Sequence, residues 1–169
     1  MISEHTIMSY FAQAQHRGWG LLVRGSLATG WHAVYRGKQM EYDVYLDVDE
    51  TWVYLQCPLL LAEPNEACKV ALYEYLLRMN EHMFLAKLAL TPITSEQGTV
   101  LGVVLIAECP ADRLDAGLFR MLTDAISTYV EECDREVRNI GLNPEIASIA
   151  HAKAQAQPVS HQGLKQTSD

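Results

Sequence analysis

Positive charge is scarce in this sequence of 169 residues. Lysine and arginine total 13 against 21 aspartate and glutamate, giving a formal charge of -8 and an isoelectric point near 5.2. A phosphate backbone or an anionic lipid surface would repel such a chain, which argues against a nucleic-acid binder or a membrane-surface protein. Long apolar runs are missing as well, and none approaches the roughly 20 residues that span a bilayer. The opening residues carry Glu4 and His5 where a secretory signal needs its basic region, so a cytoplasmic protein is expected. Cysteine is sparse: Cys57, Cys68, Cys109 and Cys133 stand 11, 41 and 24 residues apart, without CxxC or Cys/His spacing of a zinc site. A chain of this length can build a core without cross-links, so four reduced and mostly buried thiols are expected.

Catalytic signatures are lacking too. Gly25 and Gly30 have P-loop spacing, but Trp31-His32 follow where Lys-Ser/Thr would hold phosphate and magnesium. Gly18-Trp19-Gly20 follows a helical pattern instead of a strand and lacks a third glycine, so it is no dinucleotide fingerprint. His5, His16, His32, His82, His151 and His161 show no HxH, HExxH or Hx3H spacing. Glu74, Arg78 and His82 share a helix face at i, i+4 steps, as salt-linked surface helices do. The acids Glu41, Asp43, Asp47, Asp49 and Glu50 lack the spacing of a calcium loop and read as a wet strand edge. Glu131, Glu132, Asp134 and Glu136 read as the solvent side of a helix. The expectation is a protein that is not an enzyme and uses no metal or cofactor. A small metal-dependent hydrolase is the enzyme class left open, because scattered histidines and acids can converge in space.

What the sequence does contain is clear patterning. Ser3 suits an N-cap, and Ile7, Phe11 and Ala14 recur at helical spacing up to about Arg17, with Gly18 and Gly20 as the stop. The period then changes to two. In Glu41 to Asp49, Tyr42, Val44, Leu46 and Val48 fall on one face, with Glu41, Asp43 and Asp47 on the other. That alternation predicts a half-buried antiparallel strand, flanked by partners over Leu27 to Tyr35 and Thr51 to Cys57 in a meander. A second helix is expected from Asn65, with Val70, Tyr73, Leu76, Leu77 and Met83 among its apolar positions. A strand pair follows, Phe84 to Leu90 and Val100 to Ala107, the latter apolar on both faces. After Pro110, Asp112 or Asp115 can cap a helix of about seven turns whose apolar stripe runs from Leu114 to Ile140. Gly141 sits where a C′ glycine belongs. Pro58, Pro64, Pro92, Pro110 and Pro144 are read as falling between patterned segments.

The order α-β-β-β-α-β-β-α predicts an α+β fold, an antiparallel five-stranded sheet packed against helices. One domain is expected over residues 1-143. Residues 144-169 read as a mobile tail with a short helical start near Ile146 and Ile149. Trp31, Tyr35, Tyr42, Tyr45, Trp52 and Tyr54 crowd the meander. Three helices cannot cover both faces of its sheet, so some of these aromatics are core and others form a patch for an extended peptide or second subunit. Trp31, Tyr35, Trp52 and Tyr54 are the candidate contacts.

Leu72-Tyr73-Glu74-Tyr75-Leu76-Leu77-Arg78-Met79-Asn80, followed by Phe84 to Leu90, is similar to the helix ending in Leu-x-x-x-Asn and the ensuing strand of the type III secretion chaperone-like fold. The loop at Cys109-Pro110-Ala111-Asp112 before a long helix matches as well. That fold includes class I secretion chaperones and the YbjN-like bacterial family, and the resemblance spans roughly Ser3 to Gly141. It implies a homodimer whose apolar grooves hold a non-globular client polypeptide, with a secretion chaperone as one form. A YbjN-like regulatory protein acting on a protein partner is the alternative. The long aromatic meander and the tail depart from the family pattern.

Overall fold

The computed structural model describes residues 3-20, 23-24, 30-61, 64-95 and 98-156. Helix α1 (Glu4–Ala14) starts as its sequence predicts, with the Ser3 hydroxyl accepting from the Thr6 amide at 3.2 Å. It buries Ile7, Phe11 and Ala14. A 3-10 turn ends at Gly18, whose φ of 90° suits glycine, and a Cβ there would meet the Arg36 carbonyl oxygen at 2.9 Å. Strands β1 (Val23–Arg24), β2 (Gly30–Arg36), β3 (Glu41–Val48) and β4 (Trp52–Leu60) form an antiparallel meander. Helix α2 (Lys69–His82) precedes the hairpin of β5 (Ala86–Ser95) and β6 (Gly98–Pro110). Helices α3 (Ala116–Leu142) and α4 (Pro144–Ala156) close the described chain. The glycine loop 25-29 lies outside the described residues.

The fold is α+β, as the element order implied. The five expected strands lie in the order β2-β3-β4-β6-β5, and the two-residue β1 adds a sixth at the β2 edge. Every pair is antiparallel. Helix α3 lies across β4 and β6, α2 packs on β5, and α1 packs on α3. The core forms between these helices and one face of the sheet, where Val44, Leu46, Val53, Leu55, Val103 and Leu105 are fully buried. Full burial of aliphatic side chains stabilises by about 1.5–3 kcal/mol each before chain entropy is subtracted. Asp115 caps α3 by accepting from the Leu118 amide at 2.7 Å, which decides between the two expected caps.

Several local expectations change. Pro58 and Pro92 lie inside strands, each where the ladder can spare an N–H. Pro58 adjoins the register shift of β4, and Pro92 is on the edge strand. Gly141 is helical and buried instead of a C′ residue. A Cβ on it would approach Leu60 Cδ2 at 3.0 Å and Leu72 Cδ2 at 3.7 Å, so its role is close packing of α3 on its neighbours. Asp134 is buried, not on the solvent side, and accepts from Arg138 Nε at 2.7 Å. The Glu131 carboxylate accepts from the Lys38 backbone amide, tying α3 to the β2–β3 turn.

The helical start expected near Ile146 continues as the 13-residue α4, which packs on α2 and α3. Asn143 Oδ1 accepts from the Glu145 and Ile146 amides, Pro144 supplies a pre-set φ at the first turn, and Ala147 is buried. His151 Nδ1 lies 2.8 Å from Glu74 Oε2, fastening α4 to α2. Residues 157-169 of the expected tail lie outside the described residues.

Candidate functional site

Among the described residues, helices cover one face of the sheet and leave the other open. The alternation of β4 makes this visible. Val53, Leu55, Cys57 and Leu59 are fully buried, while Trp52, Tyr54, Gln56 and Pro58 between them retain solvent contact. Residues paired across an antiparallel ladder share a face, so the register extends the open surface to neighbouring strands. One row runs His32, Tyr45, Gln56, Ile106 and Lys87 across β2, β3, β4, β6 and β5. The next runs Gly30, Asp47, Tyr54 and Glu108.

Polar side chains on this surface are organised among themselves. His32 Nε2 lies 2.7 Å from Asp43 Oδ1, and its ring stacks on Tyr45 at 5.1 Å between centroids. Lys87 Nζ donates to Glu108 Oε1 at 2.5 Å, and Gln56 Nε2 donates to Asp47 Oδ2 at 3.4 Å. Burial, and next the Asp43 carboxylate, push the Tyr45 phenol above its ordinary value, so it stays a neutral donor and apolar ring. Trp52 is 37% exposed and Tyr45 43%. A shallow cavity of about 300 Å3 joins Trp52 to Ile106, Lys87, Glu108 and the Leu85-Ala86 backbone turn. Leu85 holds φ at 58°, which is unusual for a branched residue, and the adjoining Phe84 amide donates to the Tyr129 hydroxyl at 3.2 Å.

The four aromatics singled out from the sequence do not form one surface. Trp52 and Tyr54 lie on the open face. Trp31 pairs with Leu46 and Tyr35 with Tyr42, which places both on the helix-covered face, packed against the core. Tyr35 also meets the Trp19 ring at 5.3 Å. Tyr45 joins the open face without being among those four, although its sequence signal is clear: it sits in phase with Asp43 and Asp47, on the polar side of the strand alternation. His32 and Ile106 carried no such signal, since only the register brings them beside it.

The β5 edge of the sheet is less available than the open face. Asn80 donates from Nδ2 to the Leu88 carbonyl at 2.9 Å and accepts from the Leu88 amide at 2.7 Å. The outward backbone groups of β5 at Leu88 are thereby used, and Pro92, in the same phase, offers no N–H. An added strand would find this edge interrupted at two positions.

All four cysteines are buried and free. Among the described residues no group of three or more His, Cys, Asp or Glu side chains converges as a metal site, and no helix is long and apolar enough to cross a membrane.

No family model matches the chain, and no curated protein does. Solved structures do resemble it. YbjN from E. coli, a candidate transcription regulator, superposes with a TM-score of 0.55 at 12% identity, covering 80% of this chain and 93% of that one. A chain of the heterodimeric ExoU-SpcU complex from the type III secretion system of Pseudomonas aeruginosa gives a TM-score of 0.48 at 17% identity, covering 82% and 98%. The likeness to YbjN shows a general similarity of fold at low sequence identity.

Proposed function

We propose that this protein is a non-enzymatic, chaperone-like binder that holds a partner polypeptide on the open face of its sheet. The observation that supports the reading is the one-sided sheet, whose uncovered surface carries Trp52, Tyr54, Tyr45 and Ile106 beside Asp43, Asp47 and Glu108. Aromatic rings give a client's apolar side chains area to bury, and the carboxylates favour a segment that also carries basic residues. Trp52 and Tyr54 are the proposed contacts. Trp31 and Tyr35 brace the strands from the helix side. Service to a secretion system is the narrower form of this proposal.

Reduced, unfolded lysozyme, a basic chain with exposed apolar segments, is a suitable probe. The protein is expected to suppress its aggregation in a light-scattering assay, and a Trp52→Ser, Tyr54→Ser double variant that keeps its circular dichroism should lose most of that effect. Equal protection by the variant would contradict the site. The likeness to YbjN favours a second reading, a regulatory protein that binds one folded partner in fixed stoichiometry and protects no unfolded chain.

We propose further that the chain is a homodimer. Val70 and Leu77, one heptad apart on the outer face of α2, are 58% and 68% exposed. Light scattering is expected to return twice the chain mass, and a mass of 19.0 kDa over a wide concentration range would contradict the dimer.

A further inference from the structure

Between α1 and the first turns of α3 lies a cavity of about 420 Å3, lined by Tyr10, Gln13, His16, Arg17, Phe119 and Arg120, with Ala116 at its side. Its volume is in the range of small-molecule sites, roughly 300–1,000 Å3. No aspartate or glutamate is among the described residues that line it, in a chain where acids outnumber bases 21 to 13. Asp124, set against both arginines from outside that lining, leaves the local balance at two guanidinium groups to one carboxylate.

Arg17 is held in place by two hydrogen bonds. Arg17 donates from Nη1 to Asp124 Oδ1, and from Nη2 to the Thr123 hydroxyl at 3.2 Å. Thr123 is fully buried and anchored in turn to the Phe119 and Arg120 carbonyls. Arg120 approaches the same Asp124 carboxylate at 3.6 Å with a side chain 71% exposed. Two guanidinium groups therefore share one carboxylate, which leaves a surplus positive charge. A guanidinium has five N–H donors, and these contacts use a minority of them. The Tyr10 and Phe119 rings, 5.5 Å apart, add an apolar floor beside the donors.

We infer that this cavity binds a small multivalent oxyanion, a polycarboxylate or a phosphate compound. The open donors of Arg17 and Arg120 engage its oxygens, the Gln13 amide and Tyr10 hydroxyl complete the polar lining, and the rings accommodate a carbon skeleton. Paired arginines suit planar carboxylates and tetrahedral phosphates alike because their forks donate two parallel hydrogen bonds. The site is on the helix side of the molecule, away from the open sheet face.

Isothermal titration at low ionic strength tests the inference with two probes, citrate and inorganic pyrophosphate. At least one should bind saturably, once per chain, and which one does identifies the oxyanion class. Arg120→Ala should weaken that binding at least tenfold, and so should Gln13→Glu, which places a carboxylate in the cavity without removing an arginine. Arg135→Ala, at an exposed arginine paired with Glu136 further along α3, should bind like the parent. Absence of saturable binding by both probes would overturn the inference. So would parent-like binding by the Arg120 and Gln13 variants, or equal weakening by the Arg135 variant.

Discussion

Burial keeps several acidic hydrogens on this protein well past their ordinary range. The Cys57 thiol is pushed from 9.0 up to about 12 by burial, with the Asp134 and Asp43 carboxylates adding to it. Burial likewise raises Cys109 and Cys133, each to about 11. Tyr42 rises from 10.0 to about 12 through burial and then the Asp134 and Glu131 carboxylates. In the unfolded chain these groups ionise near their ordinary values, so above about pH 9 the folded state binds more protons than the unfolded one. Their contribution to stability is complete below that pH and is lost as pH rises through 11 to 12. Thermal melts between pH 7 and 11 should show a melting temperature that declines once pH passes about 9. A melting temperature that holds level to pH 11 would contradict the burial assigned to these groups. Residue identity alone announced buried cysteines, because free thiols favour interiors, whereas the burial of Asp134, paired with Arg138 and close enough to Tyr42 and Cys57 of the sheet to raise both, is encoded in no local pattern.

At the scale of elements, α2 and β5 are joined through the Asn80 side chain, whose amide copies the hydrogen bonding of a neighbouring strand. Asn80→Ala removes both bonds and leaves the Leu88 groups to water or to nothing. It should lower unfolding free energy in urea by about 1–3 kcal/mol, and an unchanged midpoint would show that the clamp contributes no net stability. Periodicity made α1, β3 and α3 readable, since each carries a continuous apolar stripe or strict alternation. Helix α4 was only partly readable because its inward positions are Ala147, Ala150 and Ala154, too small to raise a hydrophobic signal. Pro58 and Pro92 hid the true lengths of β4 and β5, since proline reads as a break unless an edge or a bulge is known to excuse it. Gly141 misled for a related reason. Glycine permits a left-handed turn, but here it permits close approach.

For the molecule as a whole, the decisive feature is that, among the described residues, helices cover one side of the sheet. The α+β class followed from the element order, and the excess of aromatics over available cover pointed to an exposed patch. Which aromatics are exposed did not follow, because facing is fixed by register. Trp31 lies opposite Leu46 and so turns to the core, while Tyr54 lies opposite Asp47 and turns outward. Shifting either pairing by one residue would have exchanged the two faces. The most direct test of the proposed function places a photo-crosslinking benzoylphenylalanine at Tyr54 and, in a second protein, at Glu132 on the solvent side of α3. Each is irradiated with reduced, unfolded lysozyme. A client held on the open face gives a crosslinked product from position 54 and little from position 132, whereas crosslinking from 132 without 54 would contradict that placement.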